Sequence, residues 1–268
     1  MTRRTRFLVI AGFTVMAIVG IFLLSPIRQS QDYHAFADNR SLLGVPNVLD
    51  VVSSGAFIVV GAAGLLALYR PRPDGRTMFS RPSDRWSYGV LFLGIALTGL
   101  GSAYYHLAPD NARLVWDRMA MAFSFAALLS AVVTERIDGT IGVALLVSLA
   151  AASVGSVLYW HITEAAGRGD LRPYVLVQFY PLLAIPLMMY LFPSRYTRGV
   201  DLLGAAMLYA AAKGFEALDA AVFAVGDIVS GHTLKHLTAA AATILIIRML
   251  QKRRPVPTRE HVLSAAVS

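Results

Sequence analysis

Residues 87–117 read SYGVLFLGIALTGLGSAYYHLAPDNARLVWD. From Ser87 to Tyr105 there is no charged residue. As a helix, nineteen such residues rise about 28 Å, close to the hydrocarbon thickness of a bilayer. The run lacks the period-two alternation that a membrane strand needs. It predicts a transmembrane helix that ends in a histidine, then a short polar connection, then a carboxylate at the start of the next apolar run.

The same pattern recurs along the chain. Eight apolar stretches are long enough to span, at about Phe7–Leu24, Val48–Tyr69, Ser87–Tyr105, Leu114–Thr134, Thr140–Tyr159, Tyr174–Phe192, Val200–Phe223 and His232–Leu250. Composition agrees. Of 268 residues, 56% are hydrophobic and 15% charged, against about a quarter charged in an average soluble domain. Eight spans leave no room for a separate soluble domain. The chain has no cysteine, which excludes disulfides, thiolate metal sites and cysteine nucleophiles. Its net charge of +8 would suggest nucleic acid in a soluble protein. Here the basic residues sit between apolar runs, so they read as a topology signal, and no nucleic-acid partner is expected.

With the N-terminus inside, the inner segments hold Arg3, Arg4 and Arg6, then Arg70, Arg72, Arg76, Arg81 and Arg85, then Arg136, Arg195 and Arg198, and finally Arg248, Lys252, Arg253, Arg254 and Arg259. The outer segments hold Arg28, Arg40, Arg113, Arg168 and Arg172. Sixteen against five predicts a multi-pass protein with both termini in the cytoplasm. The first span follows MTRRTR and has no small-residue cleavage pattern after Leu24, so it reads as a retained anchor rather than a signal peptide. Residues 251–268 read as a loose polar tail.

Ionisable groups inside spans are costly and mark function by default. Ser102 and His106 lie four apart, on one helix face. Asp117 and Arg118 open the fourth span. Lys213, Glu216 and Asp219 fall in the seventh. His232 and His236 open the eighth, again four apart, with Lys235 between them. The topology brings His106, Asp117, His232 and His236 to one depth near the outer face. Three imidazoles can hold a zinc ion and leave its fourth position open. The plainer reading of the histidines is interhelical hydrogen bonding. Lys213, Glu216 and Asp219 read equally well as an internal ion-pair ladder. His34 and His161 fall in outer loops and His261 in the tail, where solvated surface is the natural reading. Tyr104, Tyr105, Trp116 and Trp160 lie near span ends and read mostly as an interfacial belt.

The run Ser102-Ala-Tyr-Tyr-His106, Asp117 eleven residues later, and His232-Thr-Leu-Lys-His236 at the start of the last span resemble the alkaline ceramidase family, within the CREST group of membrane hydrolases. Phe215-Glu-Ala-Leu-Asp219 is similar to an aromatic-to-aspartate segment of that family, and residues 32–54 resemble its bacterial members. The resemblance covers residues 32–250. It implies an all-α integral membrane protein, a seven-helix CREST-type bundle (32–250) preceded by one extra transmembrane helix (1–31) and followed by a cytoplasmic tail (251–268). It implies that His106, His232 and His236 bind Zn2+, that Asp117 serves as general base and acid, that Ser102 supports the oxyanion or positions the metal site, and that Asp219 is a supporting polar residue. The implied reaction is hydrolysis of the amide of a ceramide-like membrane lipid, with the active site toward the outer side. Relatives carry a calcium site. Asp32, Asp38, Asn47 and Asp50 would supply oxygens for Ca2+ here, although Ala35 and Ala37 stand where further ligands are expected.

Other readings fit the same residues. One is a zinc-dependent hydrolase of a different acyl lipid. Another is a non-catalytic heptahelical receptor, or a transporter, with a structural zinc. A transporter predicts inverted repeats, which the sequence lacks, and broken spans, for which Pro181 and Pro186 are weak candidates. A retinal protein would need a Schiff-base lysine in the last helix, and Lys213 is not there.

Overall fold

The structure, a computed structural model, describes residues 1–71, 75 and 77–256. His261, Arg259, Arg72, Arg76 and most of the tail lie outside the described residues. Nine helices form among them, and no strand: α1 Arg3–Leu23, α2 Val48–Tyr69, α3 Arg85–Leu107, α4 Asn111–Arg136, α5 Gly139–Ala165, α6 Arg172–Leu191, α7 Val200–Ala217, α8 Asp219–Phe223 and α9 Gly231–Lys252. All except α7 and α8 are long and apolar enough to cross a membrane, seven in total. The chain therefore has the architecture of a multi-pass membrane protein.

Helix starts follow capping chemistry. Asp110 accepts from the backbone N–H of Arg113 at α4, Asp138 from Thr140 and Ile141 at α5, and Ser230 from Thr233 at α9. The span expected at Val48–Tyr69 forms with those bounds. The seventh expected span does not run unbroken from Val200 to Phe223. α7 stops at Ala217, and α8 starts a new direction at Asp219 after Leu218. The carboxylate of Asp219 bonds backbone N–H groups elsewhere in the fold, and this competes with continuing the helix.

α4 packs against α3, α5 and α6, while α9 packs against α2 and α7. α2 and α3 close the bundle between them. α6 and α7 do not pack closely, and a hydrogen bond from Gln178 to the Tyr209 hydroxyl (2.8 Å) links them. α1 lies outside the bundle with none of its residues buried. It leans on α6 through a Phe13–Tyr180 stack and a 2.7 Å bond in which Thr14, whose own proton goes to the Ile10 carbonyl within α1, accepts from the Tyr180 hydroxyl.

Two glycines set helix approaches that matter for the site. A Cβ on Gly101 of α3 would stand 2.7 Å from the carbonyl oxygen of Trp116 on α4. The two backbones touch there, which brings Ser102 and Asp117 to neighbouring positions. A Cβ on Gly231 would stand 2.3 Å from the carbonyl oxygen of Phe215. Glycine at that point lets the start of α9, with its two histidines, seat against the end of α7.

Candidate metal centre

His106 from the last turn of α3 meets His232 and His236 from the first two turns of α9. All three are buried, and one ligand atom from each lies within 4.8 Å of the others. Their ring centroids are 4.8 Å (His106–His232), 5.1 Å (His106–His236) and 4.9 Å (His232–His236) apart. Among the described residues this is the one group of three or more histidine or acidic side chains with such geometry. Asp117 stands outside it.

The group fits a metal ion on its own chemistry. Both ring nitrogens of His106 are buried with no hydrogen-bond partner, an expensive state for an imidazole unless a cation takes a lone pair. His236 is oriented from behind. Ser53 donates to the backbone oxygen of Asp50 (3.2 Å), so its oxygen accepts from Nδ1 of His236 (2.8 Å). That network makes Nδ1 the protonated nitrogen and leaves the Nε2 lone pair free. Nε2 lies 3.4 Å from the Ser102 hydroxyl. His232 differs: its Nε2 faces Lys235 Nζ at 2.9 Å, and Lys235 also donates to Glu216 at 3.0 Å, so a metal ion on His232 would take the lone pair that this ammonium otherwise holds. Phe36 lies edge-on to both His106 and His232, at 4.6 and 4.7 Å between centroids, and Phe57 lies 5.6 Å from His236. These rings pack over the trio.

The other expected residues fall as follows. Ser102 accepts from Ser54 at 3.1 Å and, with Asp117 and His236, lines a cavity of about 300 Å³. Lys235, Glu216 and Arg118 are the other charges around Asp117. Beyond these polar groups the cavity is walled by apolar side chains such as Ile95, Phe125, Leu128 and Ile246, and by residues of α6 and α7. Asp219 is a brace: Oδ1 accepts from the His232 backbone N–H (2.7 Å) and Oδ2 from that of Ala37 (3.0 Å). It therefore does not belong to a ladder with Lys213 and Glu216. Those two pair with each other, Glu216 pairs also with Lys235 across α7 and α9, and Tyr33 donates to it at 3.1 Å. Burial, with the Glu216 carboxylate beside it, holds the Tyr33 phenol well above its ordinary pKa, so Tyr33 stays a donor.

The four oxygens proposed for calcium are not gathered. Asp32 is exposed and bonded to Ser30. Both carboxylate oxygens of Asp38 are taken by Arg40, which holds this carboxyl below its usual range. Asn47 donates to the backbone oxygen of His106 (2.9 Å), and Asp50 accepts from Thr233 (2.7 Å). Asn47 and Asp50 thus support the helices that carry the histidines. His34 is no solvated loop residue: it bridges the Tyr105 hydroxyl (2.8 Å) and Asn111 (2.9 Å). His161 lies within α5. Trp160 and Tyr105 are buried core rather than belt, while Trp116 and Tyr104 are exposed.

Phe36, Ser53, Ser54 and Tyr33 join the site without a motif of their own, and Glu216 and Lys235, ionisable groups within spans, pair across α7 and α9. Asn47, Asp50 and Ser53 follow one another at spacings of three, with Ser54 four after Asp50, on an otherwise apolar stretch, a polar stripe that marks the face turned to the site. Compared with known proteins, the chain matches no family model and no curated protein.

Proposed function

We propose that the chain is a zinc-dependent lipid amidase of the alkaline ceramidase type, which hydrolyses the N-acyl amide of ceramide-like lipids to a sphingoid base and a fatty acid. The observation that carries this reading is the convergence of His106, His232 and His236 beside a cavity that also holds Ser102 and Asp117 and continues into apolar walls. Three imidazoles suit zinc, and a structural zinc site ordinarily takes four protein ligands rather than three. In this reading α7 is an eighth crossing that completes a CREST-type bundle behind the extra helix α1. Its Glu216 is matched by two lysines, which lowers the cost of those charges in the membrane. Eight crossings return both termini to one side, the distribution of basic residues makes that side cytoplasmic, and the metal centre then lies toward the outer face.

Bound zinc would supply a Lewis acid that polarises the scissile carbonyl and acidifies water. The remaining work falls to the chain. Ser53 fixes the ring of His236, and Phe36 and Phe57 keep bulk water away. Ser102 donates to the carbonyl oxygen as it gains charge. Asp117 accepts the proton of the attacking water and delivers it to the leaving nitrogen, which departs as a neutral amine. The apolar walls hold the acyl chain, and the loosely packed seam between α6 and α7 admits lipid sideways from the bilayer.

Metal analysis combined with incubation on a panel of ceramides and other acyl lipids, read by mass spectrometry, tests the reading. About one zinc per chain is expected, together with release of fatty acid. His106→Ala, His232→Ala and His236→Ala should each lose most of the metal. Full hydrolysis by metal-free protein overturns the site. Bound zinc with hydrolysis of esters alone favours another acyl-lipid hydrolase, and bound zinc with no hydrolysis favours a receptor.

A further inference from the structure

Arg118 follows Asp117 on α4 and is only 5% exposed. Its guanidinium carbon lies 4.4 Å from the ring centroid of Trp160, 5.0 Å from Tyr174 and 5.4 Å from Tyr33. Nη2 donates to Gln29. Nη1 is buried with no hydrogen-bond partner. Other cations differ. Arg253, also buried, has Glu135, and the half-buried Arg172 and Lys235 have Asp170 and Glu216. No carboxylate lies within salt-bridge distance of Arg118 among the described residues. Arg118 also forms part of the wall of the cavity that holds Ser102, Asp117 and His236.

A guanidinium stays charged when buried. Aromatic faces stabilise that charge and hold its plane, but its N–H groups lie in the plane and need in-plane acceptors. The Nη1 hydrogens lack one and are covered as the side chain stands, but Arg118 lines the cavity, so an acceptor that enters there reaches them by a turn of the guanidinium. The chemistry that satisfies them is an oxyanion. We propose that Arg118 binds a lipid oxyanion, a carboxylate or phosphate, one residue along α4 from the proton-transfer group Asp117. The favoured substrates are then N-acyl amides with an anionic polar head, such as N-acyl amino acids, over ceramides with a neutral one. A cleaved fatty acid carries the same chemistry. The proposal rests on the lipid-hydrolase reading only for the occupant of the cavity being a lipid.

The test uses the full chain in detergent, as wild type, Arg118→Gln and Arg118→Lys. Calorimetric binding is measured for hexadecanol, palmitate and N-palmitoylglycine, and turnover for N-palmitoylglycine and the ceramide of the same acyl length. Wild type should bind at least one of the two anionic lipids about tenfold or more tighter than hexadecanol. Arg118→Gln should abolish that preference and lower the turnover ratio of anionic over neutral substrate by about tenfold or more, and Arg118→Lys should keep part of both. Tighter binding of N-palmitoylglycine than of palmitate assigns the site to the substrate head, and the reverse assigns it to the product. Equal binding of alcohol and anions by wild type overturns the proposal, as does a preference that Arg118→Gln leaves intact. If Arg118→Gln does not fold, the wild-type series and Arg118→Lys decide. An Arg118-dependent preference without hydrolysis of any lipid supports the anion site and sinks the hydrolase reading. Hydrolysis without that preference does the opposite.

Discussion

Ser53 Oγ lies 2.8 Å from Nδ1 of His236, from a helix that supplies no ligand of its own. Because Ser53 spends its proton on the Asp50 carbonyl, the contact sets both the tautomer and the ring angle of the histidine. Ser53→Ala should keep the bundle intact and weaken zinc binding by about 10- to 100-fold. Competition with a graded series of chelators measures this. Unchanged zinc affinity would show that ring packing against Phe57 alone orients His236.

The Gly101 contact gives a paired prediction. Gly101→Ala puts a methyl group 2.7 Å from a backbone oxygen of α4, where no flexible side chain can yield. It should destabilise the fold by about 1–3 kcal/mol and reduce turnover more than zinc content, because it separates Ser102 from Asp117. Gly55→Ala on α2 meets nothing within 4 Å and should be neutral or stabilising by up to about 1 kcal/mol. Thermal unfolding in detergent, beside activity, compares the two. Equal behaviour of the pair would show that α3 and α4 can shift apart without consequence.

Asp219 bonds two backbone N–H groups, those of Ala37 and His232. It ties the segment that carries Phe36 to the first turn of α9. Asp219→Ala should cost about 2–4 kcal/mol, less than the sum of two bonds to a charged acceptor at about 1.5–3 kcal/mol each, because Asp219 is only half-buried. It should also weaken zinc binding through His232. Asp219→Asn keeps one acceptor oxygen and should fall between. Zinc titration and melting of both variants check the order, and a wild-type profile for Asp219→Ala would remove the brace from the site.

The spans were legible because each is a long apolar run with a sharp polar boundary, and Val48–Tyr69 shows this best. The histidines were legible because a four-residue spacing fixes one helix face and the topology fixes depth. The break at Leu218 was not, since its reason is the Asp219 bond to α9, a contact thirteen residues away. Asn47 and Asp50 have the chemistry of calcium ligands. What they bond, the His106 carbonyl and Thr233, depends on how α2 sits against α3 and α9. The ring cage around Arg118 draws on α5, α6 and residue 33, so no local pattern announces it. One residue along a helix is a turn of about 100°, so Arg118 projects to a different side of α4 from Asp117, and its contacts with Trp160 and Tyr174 agree.

The last prediction concerns Asp117 and the histidines. Asp117 is buried and lines the cavity with Ser102 and His236, yet it is not among the side chains whose ligand atoms converge. Three histidines already meet the usual protein quota of a catalytic zinc. A carboxylate beside such a centre is placed to take a proton from the attacking water. It then returns that proton to the amide nitrogen, because an amine anion is too poor a leaving group to depart unprotonated. Asp117→Asn keeps the size and one acceptor of the side chain and removes only the base. It should therefore retain zinc and fold while cutting amide hydrolysis by about a hundredfold or more. Ser102→Ala should act in the same direction more mildly, since a bound metal can hold part of the oxyanion charge. Zinc content and turnover must come from one Asp117→Asn sample. Loss of metal would make Asp117 a ligand, and retained metal with near-normal turnover would take it out of the mechanism.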